Sequence, residues 1–281
     1  MLSLTRYLLL LLLPIPVCAA TDDLLFGLGL RQGGGTAAVA YTANAVDFGG
    51  AGSDDSMRVT TTPTGLTDGK AFTISFWHRL DGSDGSIQRY TTFASSSSNR
   101  LNVSKTTGNA LNLTGQNSAG TSILSATGTT TLVAGSAWRH IICSIDLANT
   151  ANRACYIDDS AESVTWTTYT DDTLDMDIAT TPRYTIMGSN GATPANLVDG
   201  CIAEFWFDDV FIDLSVEATR RKFRSAAGKP VNLGADGSVP TGSQPVLYFK
   251  TASPNFETNS GSGGNFTENG AIDACSNSPS S

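Results

Sequence analysis

Short hydrophobic runs alternate with clusters of Gly, Asn, Asp and Ser from residue 37 onward. These runs occupy residues 45–48, 56–60, 71–79, 89–94, 101–105, 110–114, 122–126, 138–146, 154–158, 163–167, 183–187 and 201–207. Short strands at regular spacing, with turn residues between them, are typical of a β-sandwich or a β-barrel. Helical periodicity is almost absent before residue 214. The pattern therefore predicts an all-β fold.

One short helix is predicted near residues 215–226. Ser215 is a favourable N-cap residue, and four basic residues follow between 220 and 224, as is common near a helix C-terminus. Gly228 ends the pattern. Phe223 lies on the apolar side, so we expect it to anchor the helix against the sheets.

The N-terminus has the three parts of a secretion signal. Arg6 supplies the positive charge, Leu8 to Leu13 form the apolar centre, and Cys18-Ala19-Ala20 provides small residues. We expect cleavage after Ala19 or Ala20, which defines residues 1–20 as a signal peptide. A lipoprotein attached through Cys18 is the alternative.

Three further segments follow the predicted signal. Residues 21–36 form a flexible Gly-rich lead-in, and residues 37–227 form the β domain. Residues 228–281 form a Gly/Ser/Pro-rich extension that we expect to dock on the sandwich.

Composition limits the classes of partner. The chain has 281 residues, 40% of them hydrophobic, and a net charge of −9. Such an acidic chain has no basic surface to neutralise phosphates, which argues against nucleic-acid binding. A continuous run of 18 apolar residues is also missing from the sequence, so we predict no transmembrane anchor.

Four cysteines follow the predicted signal: Cys143, Cys155, Cys201 and Cys275. An even number in an exported chain permits two disulfides, with three possible connectivities. Cys143 and Cys155 flank a hairpin-like stretch, and a Cys201–Cys275 bond would then tie the extension to the sandwich. The alternative is that Cys143 is a small buried hydrophobic residue.

Four blocks of the sequence, between residues 45 and 205, resemble a known family. They are Ala45-Val-Asp-Phe-Gly-Gly with Ser56-Met-Arg-Val, Ala71-Phe-Thr-Ile-Ser-Phe-Trp, Trp138-Arg-His-Ile-Ile with Cys155-Tyr-Ile-Asp-Asp, and Asp199-Gly-Cys-Ile-Ala-Glu-Phe. Their order resembles the LamG-like jelly roll of the concanavalin A-like lectin/glucanase superfamily. The resemblance implies two curved antiparallel sheets over residues 40–227. The sequence differs from the family pattern at Ser160, where the family more often has Gly.

The extension resembles a narrower group. Arg220-Arg-Lys-Phe, Gly228-Lys-Pro-Val-Asn-Leu-Gly and Asn265-Phe-Thr are similar to tails of LamG-like proteins encoded by phages and prophages. This similarity implies a virion or host-contact component, whereas the predicted signal peptide indicates secretion or the cell surface. Both alternatives stay open on the sequence.

Hydrolases of the same superfamily need two carboxylates across the scissile bond. The nearest approach here is Glu204 to Asp208, which places Glu204, Trp206 and Asp208 on one face of a strand. A second Glu is missing from this motif. We therefore predict that the protein is not an enzyme.

Calcium is the metal that the sequence favours, because oxygen ligands are abundant. The resemblance implies one calcium ion at a sheet edge. Asp54 and Asp55 follow an early glycine-rich loop, and Asp199 precedes the strand that closes the sandwich. If early and late strands are neighbours, these three residues are the candidate ligands.

Glycan binding needs an exposed aromatic face beside groups that form hydrogen bonds. Trp166 and Tyr169 lie in a Thr-rich stretch with acids beside it, and Tyr90 lies between strands. We predict these three as the sugar-binding residues. The alternative for Trp166 is that it completes the core. The sequence thus predicts an exported, non-enzymatic module that binds a glycan or a surface partner, with a virion structural protein as the alternative.

Overall fold

A computed structural model describes residues 40–49, 54–96, 98–135, 137–189 and 195–281. The predicted signal peptide, residues 1–20, and the lead-in, residues 21–36, lie outside the described residues. The chain divides into two compact units, of which Tyr41–Ser281 contains all the elements below.

The described chain forms two antiparallel sheets of eight strands each. The first sheet consists of β1 (Ala45–Gly49), β3 (Ala71–Leu80), β8 (Arg139–Asp146), β9 (Arg153–Ile157), β10 (Ser160–Ala161), β13 (Asp199–Asp208), β14 (Leu247–Phe249) and β16 (Asp273–Ala274). Its order is β10-β9-β8-β3-β13-β1-β16, and β14 pairs with the far end of β13. The early strand β1 and the late strand β13 are therefore neighbours, as expected.

The second sheet has the order β11-β7-β6-β5-β4-β12-β2-β15. Its strands are β2 (Ser56–Val59), β4 (Gln88–Ala94), β5 (Asn99–Lys105), β6 (Ala110–Gln116), β7 (Ser122–Thr131), β11 (Val164–Tyr169), β12 (Arg183–Ile186) and β15 (Thr267–Asn269). Consecutive strands β4 to β7 are joined as a meander, because short turns can connect antiparallel neighbours. The predicted all-β, two-sheet jelly-roll sandwich is confirmed.

The main core lies between the sheets and is rich in aromatic rings. Phe93 from the second sheet contacts Phe207 from the first edge-to-face, with ring centroids 4.9 Å apart. Phe76 contacts Tyr90 across the sandwich with its ring tilted by 38° and the centroids 4.6 Å apart. Each buried Phe contributes about 1.5–3 kcal/mol of hydrophobic stabilisation, so these cross-sheet pairs hold the layers together.

A second apolar cluster covers the outer face of the first sheet. Trp206 of β13 contacts Phe223 edge-to-face at 5.3 Å, and Ile212, Leu214 and Leu233 pack beside them. The segment that follows β13 therefore closes this face. Phe223 packs against the sheet as expected, but it lies beyond the helix, which ends at Arg220.

The helix is shorter than the sequence predicts. In the described residues, α1 covers only Glu217–Arg220, and Ser215 makes no cap because its hydroxyl donates to Asp213. After residue 224 the chain turns back, and Ser225 N–H donates to Lys229. A helix of four residues is far too short to cross a membrane, and the described part of the chain contains no membrane-spanning helix.

Residues 228–281 supply strands to both sheets. In this segment β14 pairs with β13, β15 with β2, and β16 with β1. Phe249, Phe256, Phe266 and Ile272 enter the main core.

Both disulfides predicted from the cysteine positions are present. Cys143 and Cys155 lie directly opposite each other on β8 and β9, with Cα atoms 4.1 Å apart. Cys201 of β13 is bonded to Cys275, 74 residues later, with Cα atoms 5.9 Å apart. The second bond ties the end of the chain to the centre of the first sheet.

Candidate functional site

The outer face of the second sheet is polar, in contrast to the apolar, covered outer face of the first. The difference arises from alternation along β5 and β6. Leu101 and Val103 of β5 are fully buried in the core, so Asn102 between them and Ser104 after them face outward. On β6, Leu111 and Leu113 face the core, and the outward positions are Asn112 and Thr114.

The strand register places these outward residues in two rows across the sheet. One row runs Thr185, Thr92, Asn102, Thr114 and Ser125, which are direct partners across five strands. The row beside it runs Arg89, Ser104, Asn112 and Thr127. The two rows therefore form a continuous array of hydroxyls and amides, with the guanidinium of Arg89 in the second row, and the first row continues from Thr185 to its strand partner Arg58.

A groove of about 410 Å³ lies along these rows, and we call it the polar groove. It is lined by Ile87, Gly115, Arg89, five Ser or Thr residues and four amides, namely Asn99, Asn102, Asn112 and Gln116. Its volume is within the roughly 300–1,000 Å³ of small-ligand pockets. The lining contains no Asp or Glu, although the chain has 26 acidic residues.

Three amide oxygens of the polar groove are buried without a hydrogen-bond partner among the described residues: Asn99 Oδ1, Asn102 Oδ1 and Gln116 Oε1. The amide nitrogens of Asn102 and Asn112 are engaged, since they donate to Thr114 and to Ala126 and Thr127. A buried acceptor left without a donor costs about 1–3 kcal/mol. The groove therefore offers acceptors to a ligand that carries hydroxyl donors.

Arg89 is the one charged residue of the groove lining. Its backbone N–H donates to Asn196 at 2.8 Å, which fixes this position at the start of β4. Its side chain is half-buried, and burial lowers the pKa of the guanidinium. Within the described residues, no carboxylate lies within 4.0 Å of it, whereas nearby Arg100 is paired with Asp175 at 2.9 Å.

The predicted sugar-binding residues Trp166 and Tyr169 lie elsewhere. Both are half-buried on the core side of the edge strand β11, with ring centroids 5.5 Å apart. The guanidinium of Arg153 from the other sheet lies 5.0 Å from the Trp166 ring and 4.6 Å from the Tyr169 ring. The Tyr169 hydroxyl donates to the carbonyl of Asp146. This cluster closes the edge of the sandwich, and its role in sugar binding stays a prediction.

Tyr90 was predicted as the third sugar-binding residue, and this prediction is wrong. Its side chain is completely buried, and its hydroxyl lies 3.0 Å from Nδ1 of His78. A β-bulge between Arg89 and Thr91 turns Tyr90 into the core. Its neighbour Arg89 faces the outer side of the sheet instead.

Two of the three predicted calcium ligands, Asp55 and Asp199, both lie beside Gly49 at the corner where β1 ends. The contacts of Asp55, however, are with backbone N–H groups. Asp199 is the strand partner of Gly49, and Asp55 accepts the N–H groups of Gly49 and Ala271. Asp199 accepts the hydroxyl of Ser83 at 2.8 Å. Asp54 is exposed. Asp55 thus joins the end of β1 to the C-terminal segment.

Beside this corner, oxygen atoms of Asp47 and Asp81 and the sulfur of Cys201 lie within 4.8 Å of one another. Burial raises the pKa of Asp47, and repulsion from Asp81 adds to it. Arg79 already supplies the positive charge, because its guanidinium donates to both carboxylate oxygens of Asp81. Cys201 is in a disulfide, so these residues fit a calcium ion poorly.

The residues closest to a hydrolase motif are buried beneath the C-terminal segment. Glu204 is 3% exposed and accepts hydrogen bonds from Tyr41 and Tyr248. Trp206 donates from Nε1 to Gly237, and Asp208 accepts the N–H of Val246. These side chains face covering segments of the same chain, where they hold those segments in place.

A laminin G family model of the concanavalin A-like lectin/glucanases superfamily matches residues 51–210, more than half of the chain. The chain belongs to this superfamily. The predicted LamG-like jelly roll is therefore confirmed, and the similarity to phage-encoded tails stays a prediction. No curated protein sequence matches the chain.

Three solved structures are similar to this chain. A putative carbohydrate-binding protein from Bacteroides ovatus is 13% identical, with a TM-score of 0.58 over 85% of this chain and 62% of that chain. A heptameric SAP-like pentraxin from Limulus polyphemus is 14% identical, with a TM-score of 0.46 over 63% and 81% of the two chains. The sialidase CBM40 of Ruminococcus gnavus bound to α2,3-sialyllactose is 12% identical, with a TM-score of 0.41 over 58% and 96%. At these identities the similarity shows the fold alone.

Proposed function

We propose that this superfamily member is an exported, non-enzymatic module that binds a glycan in the polar groove. The observation that carries the proposal is the set of buried amide oxygens of Asn99, Asn102 and Gln116, which have no donor among the described residues. Sugar hydroxyls are donors and acceptors at once, so they match both these oxygens and the Ser and Thr hydroxyls beside them. The name of the Bacteroides ovatus protein is consistent with this assignment.

The absence of acids from the groove lining supports binding without hydrolysis. Glycoside hydrolysis canonically uses a pair of carboxylates that flank the scissile bond. The groove lining supplies no carboxylate. Glu204 and Asp208 belong to the first sheet, on the other side of the sandwich, and both are buried. A ligand in the groove would thus meet hydrogen-bonding groups and a guanidinium alone.

The two disulfides support export, because such bonds persist in oxidising compartments. An intact mass of the chain recovered from an exporting host tests this part. We expect loss of residues 1–19 or 1–20 and of four thiol hydrogens. A full-length reduced chain would favour assembly inside the cell, as for a virion component.

Binding of the mature chain to a panel of soluble polysaccharides tests the glycan proposal, with titration calorimetry on the hits. A bacterial periplasmic host suits the experiment, because Asn102 and Asn112 lie in N-x-S/T sequons that a eukaryotic host could glycosylate. We expect Asn102→Ala and Gln116→Ala each to weaken binding about 3- to 10-fold, the effect of one lost hydrogen bond.

Two variants serve as controls for the location of the site. Gln244→Ala removes an exposed amide whose nitrogen donates to Ser260, outside the groove, and should leave affinity unchanged. Trp166→Ala tests the sandwich edge. If Trp166→Ala abolishes binding and Asn102→Ala does not, the glycan site lies at that edge and not in the polar groove. If the wild type binds no glycan, the proposal is refuted.

A further inference from the structure

The charge of the polar groove differs in sign from that of the protein. The chain has a net charge of −9, yet the groove is lined by one guanidinium and no carboxylate. A half-buried guanidinium has lost part of its hydration, and in folded proteins such groups are usually paired with an acid. Arg89 has no such partner among the described residues.

Other cations near the groove are already engaged. Arg100 is bound to Asp175, and Lys105 donates from Nζ to Asn109 and to the carbonyl of Ser83. Lys105 is fully buried and follows the core residues Leu101 and Val103 in the alternation of β5. Arg89 is thus the cation that belongs to the lining of the groove itself.

Arg89 also lies beside the free acceptors. It is the direct partner of Ser104, whose neighbours in the array are Asn102 and Asn112. A ligand that gives its hydroxyls to Asn102 Oδ1 therefore places its next substituent near the guanidinium. The planar fork of Arg binds carboxylate and sulfate groups through two parallel hydrogen bonds.

We infer that the polar groove selects acidic glycans and that Arg89 binds the carboxylate or sulfate group of the sugar. This inference rests on the proposed function and names the class of sugar. Long-range attraction cannot supply the selectivity, since an acidic protein repels a polyanion at a distance. The preference must therefore depend on this one local contact.

A matched pair of polymers tests the inference. Polygalacturonic acid and its carboxyl-reduced form share the same linkages and differ only in the charged group. Titration of the disulfide-bonded full mature chain should show about tenfold or tighter binding to the acid form. In Arg89→Gln we expect this ratio to fall close to one, with binding to the reduced polymer unchanged. Dextran sulfate against dextran, titrated in the same way, separates sulfate from carboxylate recognition.

Arg221→Gln is the charge-matched control, because Arg221 is paired with Glu217 and Asp159 on the far side of the molecule. It should keep the ratio of the wild type, and Arg89→Lys should keep part of it. A wild-type chain that binds acidic and reduced polymers equally would overturn the inference while leaving glycan binding intact. An Arg89→Gln variant that melts normally and keeps the full preference would overturn it too. Binding to neither polymer nor to any neutral glycan would instead refute the proposed function.

Discussion

Tyr248 donates a hydrogen bond of 2.5 Å to the carboxylate of Glu204 in the interior of the protein. Tyr41 donates to the other oxygen of the same carboxylate, also at 2.5 Å. The three residues come from the segment before β1, from β13 and from β14. Glu204 takes a positive φ of 51° at the bulge of β13, a conformation that non-glycine residues rarely adopt. One carboxylate therefore joins three parts of the chain at an irregular point of the first sheet.

Tyr248→Phe should destabilise the protein through this contact alone. The change leaves the ring in place and removes one of the two donors to a buried carboxylate, which costs about 1.5–3 kcal/mol. Urea unfolding measures the loss. Tyr156→Phe is the control, because Tyr156 is half-buried and its hydroxyl makes no hydrogen bond within the described part of the chain. Equal losses for the two variants would show that the phenol of Tyr248 adds nothing.

Asp208 should make stability fall as the pH rises. Burial raises the pKa of Asp208 to about 6, above the value near 4 in an unfolded chain. The folded state therefore keeps its proton to higher pH than the unfolded state, so this residue lowers the free energy of unfolding between about pH 4 and pH 6. The difference corresponds to at most about 3 kcal/mol.

Asp208→Asn removes this titration and keeps an oxygen to accept the N–H of Val246. We expect the variant to match the wild type near pH 4 and to be about 1–3 kcal/mol more stable at pH 7. Urea unfolding at several pH values gives the comparison, with Asp54→Asn at an exposed position as the control. An Asp208→Asn variant whose advantage does not grow with pH would contradict the proposed titration.

The strands could be predicted from the sequence because hydrophobic and polar residues alternate along each of them. On β6, Leu111 and Leu113 alternate with Asn112 and Thr114, and the burial pattern follows this alternation residue by residue. Turn residues between such segments mark the strand ends. The helix was predicted too long because residues 221–226 carry helix-forming charges, whereas the pairing of Arg224 with Pro230 turns the chain back. Local pattern cannot anticipate that tertiary contact.

The polar groove was missed for a different physical reason. An Asn that alternates with Leu on one strand is ordinarily a solvated residue, and Asn102 or Asn112 alone gives no other signal. Their significance arises from register, which aligns Asn102 with Thr92 on one side and Thr114 on the other. Register depends on the whole sheet.

Tyr90 was assigned to the surface for a related reason. The β-bulge that turns its side chain into the core is not visible in the alternation of hydrophobic and polar residues.

The two disulfides should differ in their contribution to stability. In the chain-entropy model the gain grows with the length of the closed loop, and the separations are 74 residues for Cys201–Cys275 and 12 for Cys143–Cys155. We expect the Cys201→Ala/Cys275→Ala variant to lose roughly 1.5 kcal/mol more than Cys143→Ala/Cys155→Ala. Urea unfolding of the two double variants provides matched comparisons. A larger loss from the short loop would mean that strand pairing of β8 and β9, not the unfolded chain, sets the effect.

We expect the guanidinium of Arg79 to neutralise the carboxylates of Asp47 and Asp81, so that no metal ion is needed there. Its guanidinium binds both oxygens of Asp81 and lies near Asp47, whose pKa burial and the neighbouring carboxylates raise. We expect the melting temperature of the wild type to be the same in calcium and in chelator. Arg79→Gln should lower it by roughly 5 °C, because the change removes a buried guanidinium that is bound to the exposed carboxylate of Asp81, and calcium should then restore part of the loss.

Lys70→Gln is the matched control for the calcium experiment, since Lys70 forms an exposed ion pair with Asp171. Water and salt screen such exposed pairs, so we expect a small change in melting temperature that calcium does not reverse. A calcium-dependent rise in the wild type would contradict the role given to Arg79. It would support the sequence-based expectation of an ion held by Asp54, Asp55 and Asp199, and alanine variants of those three would then locate it.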